Sequence, residues 1–245
     1  MSLEFTVIVP CHHASRRLPG KLALDLGGKP VLAHTLERAK MSRATKVVAA
    51  ISHVLLKPIA DSVGVESVLT RTHFSGTDRA AEAASSLLLH RNHPVVVLQA
   101  DEPLIDPETV FRVADILFAQ PELDCVTVSR PLQDGEYADP NTVKVIVDRE
   151  DRAIWFSRAP IPHNRDEPGV PPENARAHLG IYACTAGFLQ RYARMEESPD
   201  EHTERLEQLR ILWHGHKIGV IETDEISIGI DTPADLERAR ALLKR

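Results

Sequence analysis

A chain of 245 residues, 43% of them hydrophobic, is long enough for one large α/β domain carrying an elaboration. Its 35 acidic residues outnumber 29 basic ones, for a formal charge of -6, which speaks against a general affinity for nucleic-acid polymers or acidic lipid; any basic site has to be local. Cys11, Cys125 and Cys184 stand far apart with no metal or redox spacing, and the first ten residues hold neither a basic leader nor a long apolar run, so a reducing, cytoplasmic setting without membrane insertion is expected.

In chain order, the apolar run Phe5–Pro10 predicts a strand, VLAHTLERAK (31–40) a helix, KVVAAIS (46–52) a strand, and LLKPIADSVG (55–64) a helix broken at its start by Pro58. VESVLT (65–70), DRAAEAASSLLLH (78–90), PVVVLQA (94–100) and PETVFRVADILFA (107–119) continue the alternation of strand and helix. Such βαβ alternation indicates a Rossmann-like, mostly parallel sheet flanked by helices, the α/β class. From about residue 124 the pattern changes to strand-like CVTVSR, TVKVIVD, AIWFSR and HLGIYAC, which predicts a smaller antiparallel addition, used for a second substrate or a dimer contact, around 124–190 of a single domain spanning 1–245. Residues 163–177, rich in proline, read as an exposed loop. Helical signals return in SPDEHTERLEQLRILWHG (198–215), read as one helix, and in TPADLERARALLKR (232–245), each opening on a hydroxyl residue followed by proline. SIGI (227–230) reads as a strand end ahead of Asp231.

The loop after the first strand, CHHASRRLPGK (11–21), occupies the position where open parallel sheets collect ligands. Ser15, Arg16, Arg17 and Lys21 supply donors and Gly20 lets backbone approach an anion closely, a combination suited to a polyphosphate. Leu22 follows Lys21 where a P-loop needs a hydroxyl, and no GxGxxG occurs, so neither common nucleotide fingerprint is present. Asp101 follows the buried run VVVLQA and Asp231 follows SIGI; two carboxylates delivered from separate strand ends, together with phosphate oxygens, suit magnesium. The plainer readings are a turn at Asp101 and helix capping at Asp231. No covalent nucleophile is required, and Cys11 reads as a small apolar filler.

The strand followed by HASRRLPGK and GGKPVLAHTLERA resembles the sugar nucleotidyltransferases, and most closely the 3-deoxy-manno-octulosonate (Kdo) cytidylyltransferase family. TRTHFSGTDR (70–79), LQADEPLI (98–105), DPNTVKVI (139–146), WFSRAPIP (155–162), HLGIYA (178–183), HTERLEQLRILWHG (202–215) and GIDTPADLERA (229–239) extend the resemblance in the family's order. It implies transfer of CMP from CTP to the anomeric hydroxyl of Kdo, releasing pyrophosphate, with Mg2+ as cofactor, CTP and a sugar acid as partners, and a homodimer serving lipopolysaccharide synthesis. Another sugar acid, such as 8-amino-Kdo or a sialic acid, and a non-catalytic nucleotide binder stay open as alternatives.

For the site, Lys21, Asp101 and Asp231 are the expected catalytic residues, the two aspartates being the metal pair that the resemblance implies. His12, Ser15, Arg17 and Lys21 are expected at the triphosphate. By resemblance Ser75, Gly76 and Thr77 lie near cytosine and ribose and Arg79 near the sugar carboxylate, while Gln99, His178, Tyr182, Glu207 and Gln208 line the sugar pocket, with Arg158 a further contact to anionic substrate. A plain helix cap by Thr77 and a solvated helix face at Glu207 and Gln208 are the competing structural readings. The chain departs from the family where Cys11-His12-His13 replaces Ala-Arg-Tyr, where Ala50-Ile51-Ser52 replaces Ala-Thr-Asp, where Ala100 replaces glycine, and where Cys184 replaces a second tyrosine.

Overall fold

The computed structural model describes residues 3–15, 17–73, 75–225 and 227–243; Arg16 and the last two residues of the C-terminal helix expected from sequence lie outside them. The elements are β1 (Thr6–Cys11), β2 (Asp25–Leu26), β3 (Lys29–Pro30), α1 (Val31–Met41), β4 (Lys46–Ile51), α2 (Lys57–Ser62), β5 (Glu66–Leu69), α3 (Gly76–Ser86), β6 (Pro94–Leu98) and α4 (Pro107–Ala119). They continue with β7 (Cys125–Pro131), β8 (Lys144–Val147), β9 (Ala153–Ser157), β10 (Arg176–Thr185), α5 (Ala186–Tyr192), α6 (Pro199–Glu204), α7 (Gln208–Trp213), β11 (Ile218–Glu222) and α8 (Pro233–Leu243).

Among the described residues one nine-stranded sheet runs in the order β11-β7-β10-β6-β1-β4-β5, with β8 branching from β10 and pairing β9. β1 is parallel to β4 and β6, β4 to β5 and β7 to β11, while β10 runs antiparallel to β6 and β7. Along β1, Val7, Val9 and Cys11 join Leu32 and Leu36 of α1 and Val110 and Val113 of α4 in one core, while Ile8 joins Ala80 and Ala84 of α3 in the other. Burial on both faces explains why its sequence is a continuous apolar run instead of an alternation. The chain goes outward from β1 through β4 to β5 and returns on the other side at β6. The loops after β1 and β6 therefore flank a topological switch point, where such sheets hold ligands.

Two sequence expectations are corrected. Residues 198–215 form two helices, because Arg205 adopts φ 56°, ψ 47° and ends α6, its N–H donating to the Glu201 carbonyl at 2.7 Å. Below this break Arg210 forms a two-pronged ion pair with Glu201, at 2.8 and 2.6 Å, both side chains almost fully buried. SIGI forms no strand; instead the Ile230 N–H donates to the Asp101 carbonyl at 2.9 Å, tying an extended segment to the loop after β6. The 55–64 segment is interrupted at its start as expected: a 3-10 turn covers Val54–Leu56 and α2 begins at Lys57, with Pro58 in its first turn, where the missing N–H costs nothing. The sequence reading also passed over α5 and β11, the latter pairing in parallel with β7 at the sheet edge.

Candidate active site

Gly20, at φ 67°, opens the short 3-10 turn Lys21–Ala23 in the left-handed region that glycine tolerates best, and so turns Lys21 back over the ends of β1 and β6. The Lys21 ammonium contacts Asp101 Oδ2 and lies 2.9 Å from Asp231 Oδ1. Arg17 Nη2 holds the other Asp231 oxygen at 2.7 Å, and its Nη1 donates to Asn141 Oδ1 at 3.2 Å. Burial works against the Lys21 charge, but the neighbouring Asp101 and Asp231 carboxylates more than offset it and raise its pKa. Asp231 does not cap α8: Thr232 Oγ1 and the Asp235 carboxylate form that cap, leaving the Asp231 side chain to the cation cluster.

Apart from Lys21, which meets it through the two carboxylates, these groups border a cleft of about 650 Å³. Arg17, Asp101 and Asp231 line it together with Gln99, Arg158, His178, Tyr182, Glu207 and Gln208, so most of the residues expected from sequence converge. Gln99 lies between two glycines: a Cβ on Gly76 would stand 3.4 Å from its amide oxygen, and one on Gly180 would stand 3.5 Å from its Cγ. Thr127 Oγ1 donates to the Ile181 carbonyl at 2.7 Å and sits 2.8 Å from His178 Nε2, which fixes that nitrogen as the imidazole donor and leaves Nδ1 as an acceptor. Burial lowers the His178 pKa to about 3, so it offers this acceptor across the physiological range. Glu207 lies in the break between α6 and α7, and Gln208 opens α7 with its side chain buried and not on a solvated helix face. The Thr77 N–H donates to Glu207 Oε2 at 3.4 Å, which sets that carboxylate at the N-terminus of α3; burial nonetheless raises its pKa. Ser75, not Thr77, caps α3, its hydroxyl accepting from the Asp78 N–H at 3.0 Å.

Other expected residues sit elsewhere. Ser15 Oγ accepts from the Leu18 N–H at 3.4 Å and so shapes the loop. Arg79 is 2% exposed and donates to Thr70 Oγ1 and to the Arg71 carbonyl; it is not in the cleft wall and its charge acts on Cys11 and His12 from beneath the first loop. His12 lies beside the cluster with much of its surface in solvent; partial desolvation, then the charges of Arg79, His13 and Lys21, lower its pKa. The two departures from the family pattern on this side are joined: Ser52 Oγ accepts the His13 N–H at 2.9 Å, and the His13 and His53 rings stack with centroids 5.2 Å apart. Burial pushes the Cys11 thiol far above its ordinary pKa, so it is an inert filler.

Sequence reasoning missed Asn141, which receives Arg17, and Glu102, whose carboxyl is bonded to the Ser227 hydroxyl and pushed up to about 7 by burial and by Asp101. The only signals were their places in DPNT and ADEP. A groove of about 620 Å³ beside α3 and α5 rivals the cleft in size, but its Glu82 is already paired with Arg71 and His73, and its Arg210 with Glu201.

Magnesium fits the first cluster by chemistry. Asp101 and Asp231 offer only oxygen donors and converge on one cation. Among the described residues no group of three or more His, Cys, Asp or Glu side chains is set to hold a metal, so phosphate oxygens and water would have to complete the coordination.

Residues 6–218 match the family model described as Cytidylyltransferase. The 3-deoxy-manno-octulosonate cytidylyltransferase of Methylococcus capsulatus is 44% identical over 252 residues, covering 98% of this chain and 97% of that protein. Its counterpart in Neisseria meningitidis serogroup A is 45% identical over 250 residues, covering 98% of both. A solved CMP:2-keto-3-deoxy-manno-octonic acid synthetase in complex with CTP superimposes with a TM-score of 0.89 at 35% identity, covering 99% of both chains. With sequence, fold and coverage in agreement from end to end, the chain belongs to the 3-deoxy-manno-octulosonate cytidylyltransferase family.

Proposed function

We propose that the protein transfers CMP from CTP to the anomeric hydroxyl of 3-deoxy-D-manno-octulosonate. The observation that carries this reading is the convergence of Lys21, Asp101 and Asp231 at the switch point, with the hydrogen-bonding wall of His178, Tyr182, Glu207 and Gln208 in the same cleft. In this reaction the sugar oxygen bonds to the α-phosphorus as the bridge to the β-phosphate breaks, and pyrophosphate leaves with its charge. Both reactants are anionic, so catalysis rests on neutralising charge and holding the atoms in line.

Arg17 and Lys21 are assigned to the triphosphate and the departing pyrophosphate, and Asp101 and Asp231 to Mg2+, which when bound supplies charge neutralisation at the phosphates. Ser75, Gly76, Thr77 and Gln99 are assigned to the nucleoside side, and Arg158, His178, Tyr182, Glu207 and Gln208 to the sugar acid. Arg79, buried away from the cleft wall, is assigned to holding the segment after β5, since its guanidinium donates to Thr70 Oγ1 and the Arg71 carbonyl. Exposed Ile154 and Trp155 on β9 and Val170 in the following loop support pairing with a second copy through the antiparallel addition. No described helix is long and apolar enough to cross a membrane, and three buried free thiols fit a cytoplasmic enzyme.

The test is pyrophosphate release from CTP and magnesium with Kdo, 8-amino-Kdo, N-acetylneuraminate or no acceptor. Release with Kdo alone supports the assignment; release with another acceptor moves the specificity, and silence with all four removes it.

The exchange of the family's arginine for His12 yields a pH-dependent prediction. The free imidazole is held below its ordinary value by burial and by Arg79, His13 and Lys21; a docked triphosphate would favour the charged form. Binding then takes up a proton, so CTP affinity rises as pH falls through the bound-state pKa and levels off once pH is below the free-state one. Calorimetric titration between pH 5.5 and 8 will show a steeper slope for the native protein than for His12→Asn. Equal slopes would remove His12 from the phosphate site.

A further inference from the structure

Lys144 opens β8 with its side chain 0% exposed, one of the largest fully buried side chains in the protein. Its ammonium donates to three main-chain carbonyls: Asp139 at 2.9 Å, Thr142 at 2.6 Å and Arg158 at 2.7 Å. An ammonium has three hydrogens, and each has an acceptor. Asp139 and Thr142 are the two ends of one tight turn, closed by a 3.2 Å backbone hydrogen bond from the Thr142 N–H to the Asp139 carbonyl. Arg158 grips the same turn from outside, Nη1 donating to the Pro140 carbonyl at 2.8 Å, and reaches back to α6 through Nε to the Glu204 carbonyl at 2.7 Å. Asn141, at the crest, receives Arg17.

Asn141, Thr142 and Arg158 all line the cleft, whereas Lys144 does not. An apolar side chain of the same length would fill the space but leave the three carbonyls without their donor. We propose that Lys144 is a positioning residue that holds the 139–142 turn and sets the placement of Arg158 in the cleft wall, and through it the binding of the sugar acid, without touching substrate. This assignment rests on reading the cleft as a site for CTP and a sugar acid.

Two measurements on Lys144→Met test it. Amide hydrogen exchange, which needs no turnover, will be at least about tenfold faster at Asn141 and Thr142 while the amides of β1, β4 and β6 keep their protection. In steady-state assays the KM for Kdo will rise about tenfold with kcat and the KM for CTP within threefold, as follows from a small misplacement of a contact. In an Arg158→Ala background the same change will add less than threefold, because the two act through one contact. Should Lys144→Met fail to fold, Lys144→Gln, which keeps two N–H donors, takes its place in both measurements. Unchanged exchange at the turn, exchange raised uniformly across the sheet, or a KM for Kdo that multiplies independently in the double variant would overturn the proposal. A native protein inert toward Kdo would reject the functional reading, while the exchange result would still decide whether Lys144 holds the turn.

Discussion

Asp101→Asn will lower kcat for pyrophosphate release by about 10^3-fold, equivalent to about 4 kcal/mol at the transition state. The amide keeps the shape of the side chain but removes the charge that meets Lys21 and faces the same point as Asp231. Nothing about the backbone changes: the Asp101 carbonyl still receives the Ile230 N–H, so the 227–230 segment stays in place. The loss therefore falls on kcat and on the magnesium requirement and not on folding. Rates measured across a magnesium titration, with circular dichroism as the control, decide the point. Turnover within tenfold of native at saturating metal would take Asp101 out of the reacting centre.

Lys21→Met will lower kcat/KM for CTP by about 10^2 to 10^3-fold, the scale expected when a charged donor to a transferring phosphate group is removed. Among the described residues Lys21 is the only side chain that joins both aspartates, and its removal leaves two like charges facing one another. With Asp101 23% and Asp231 39% exposed, solvent screens much of that repulsion, and a stability loss of about 1 kcal/mol follows. The fold raises the Lys21 pKa, so its contribution is complete below the ordinary lysine value and is lost as pH rises through the folded one. Native and variant melting temperatures will therefore draw together in strong alkali. Denaturant titrations give the stability and pyrophosphate release gives the rate; a variant retaining more than a tenth of native kcat/KM would place Lys21 outside the phosphate path.

The sheet was legible because its strands carry the pattern that double-sided burial demands: after their first residue β1, β4 and β6 are continuous apolar runs, and α1 and α4 begin and end close to where periodicity and capping put them. The break at Arg205 was not legible, since an arginine at positive φ carries no local signal and the flanking residues are good helix formers. Lys21, Asp101 and Asp231 could be named from their places after strand-like runs, yet their meeting depends on a contact between residues 80 and 210 positions apart. Asn141 and Glu102 escaped for the same reason: a turn asparagine and a glutamate beside an aspartate are ordinary until the fold brings Arg17 to one and Ser227 to the other. Arg79 shows the reverse, an arginine beside a donor-rich loop that turns to Thr70 and Arg71 after β5 and not into the cleft.

The hydrogen bond from Thr77 to Glu207 crosses from the helix assigned to the nucleoside to the segment assigned to the sugar acid. A carboxylate shared in this way makes each half of the cleft part of the other's environment. If filling one half alters how Glu207 holds the α3 N-terminus, the two ligands are linked thermodynamically, and the factor by which CTP changes the affinity for sugar acid must equal the factor returned in the opposite direction. Selectivity for the acceptor is then not a property of the sugar pocket alone, and a change at the base-facing turn can shift it without altering any residue that the sugar touches.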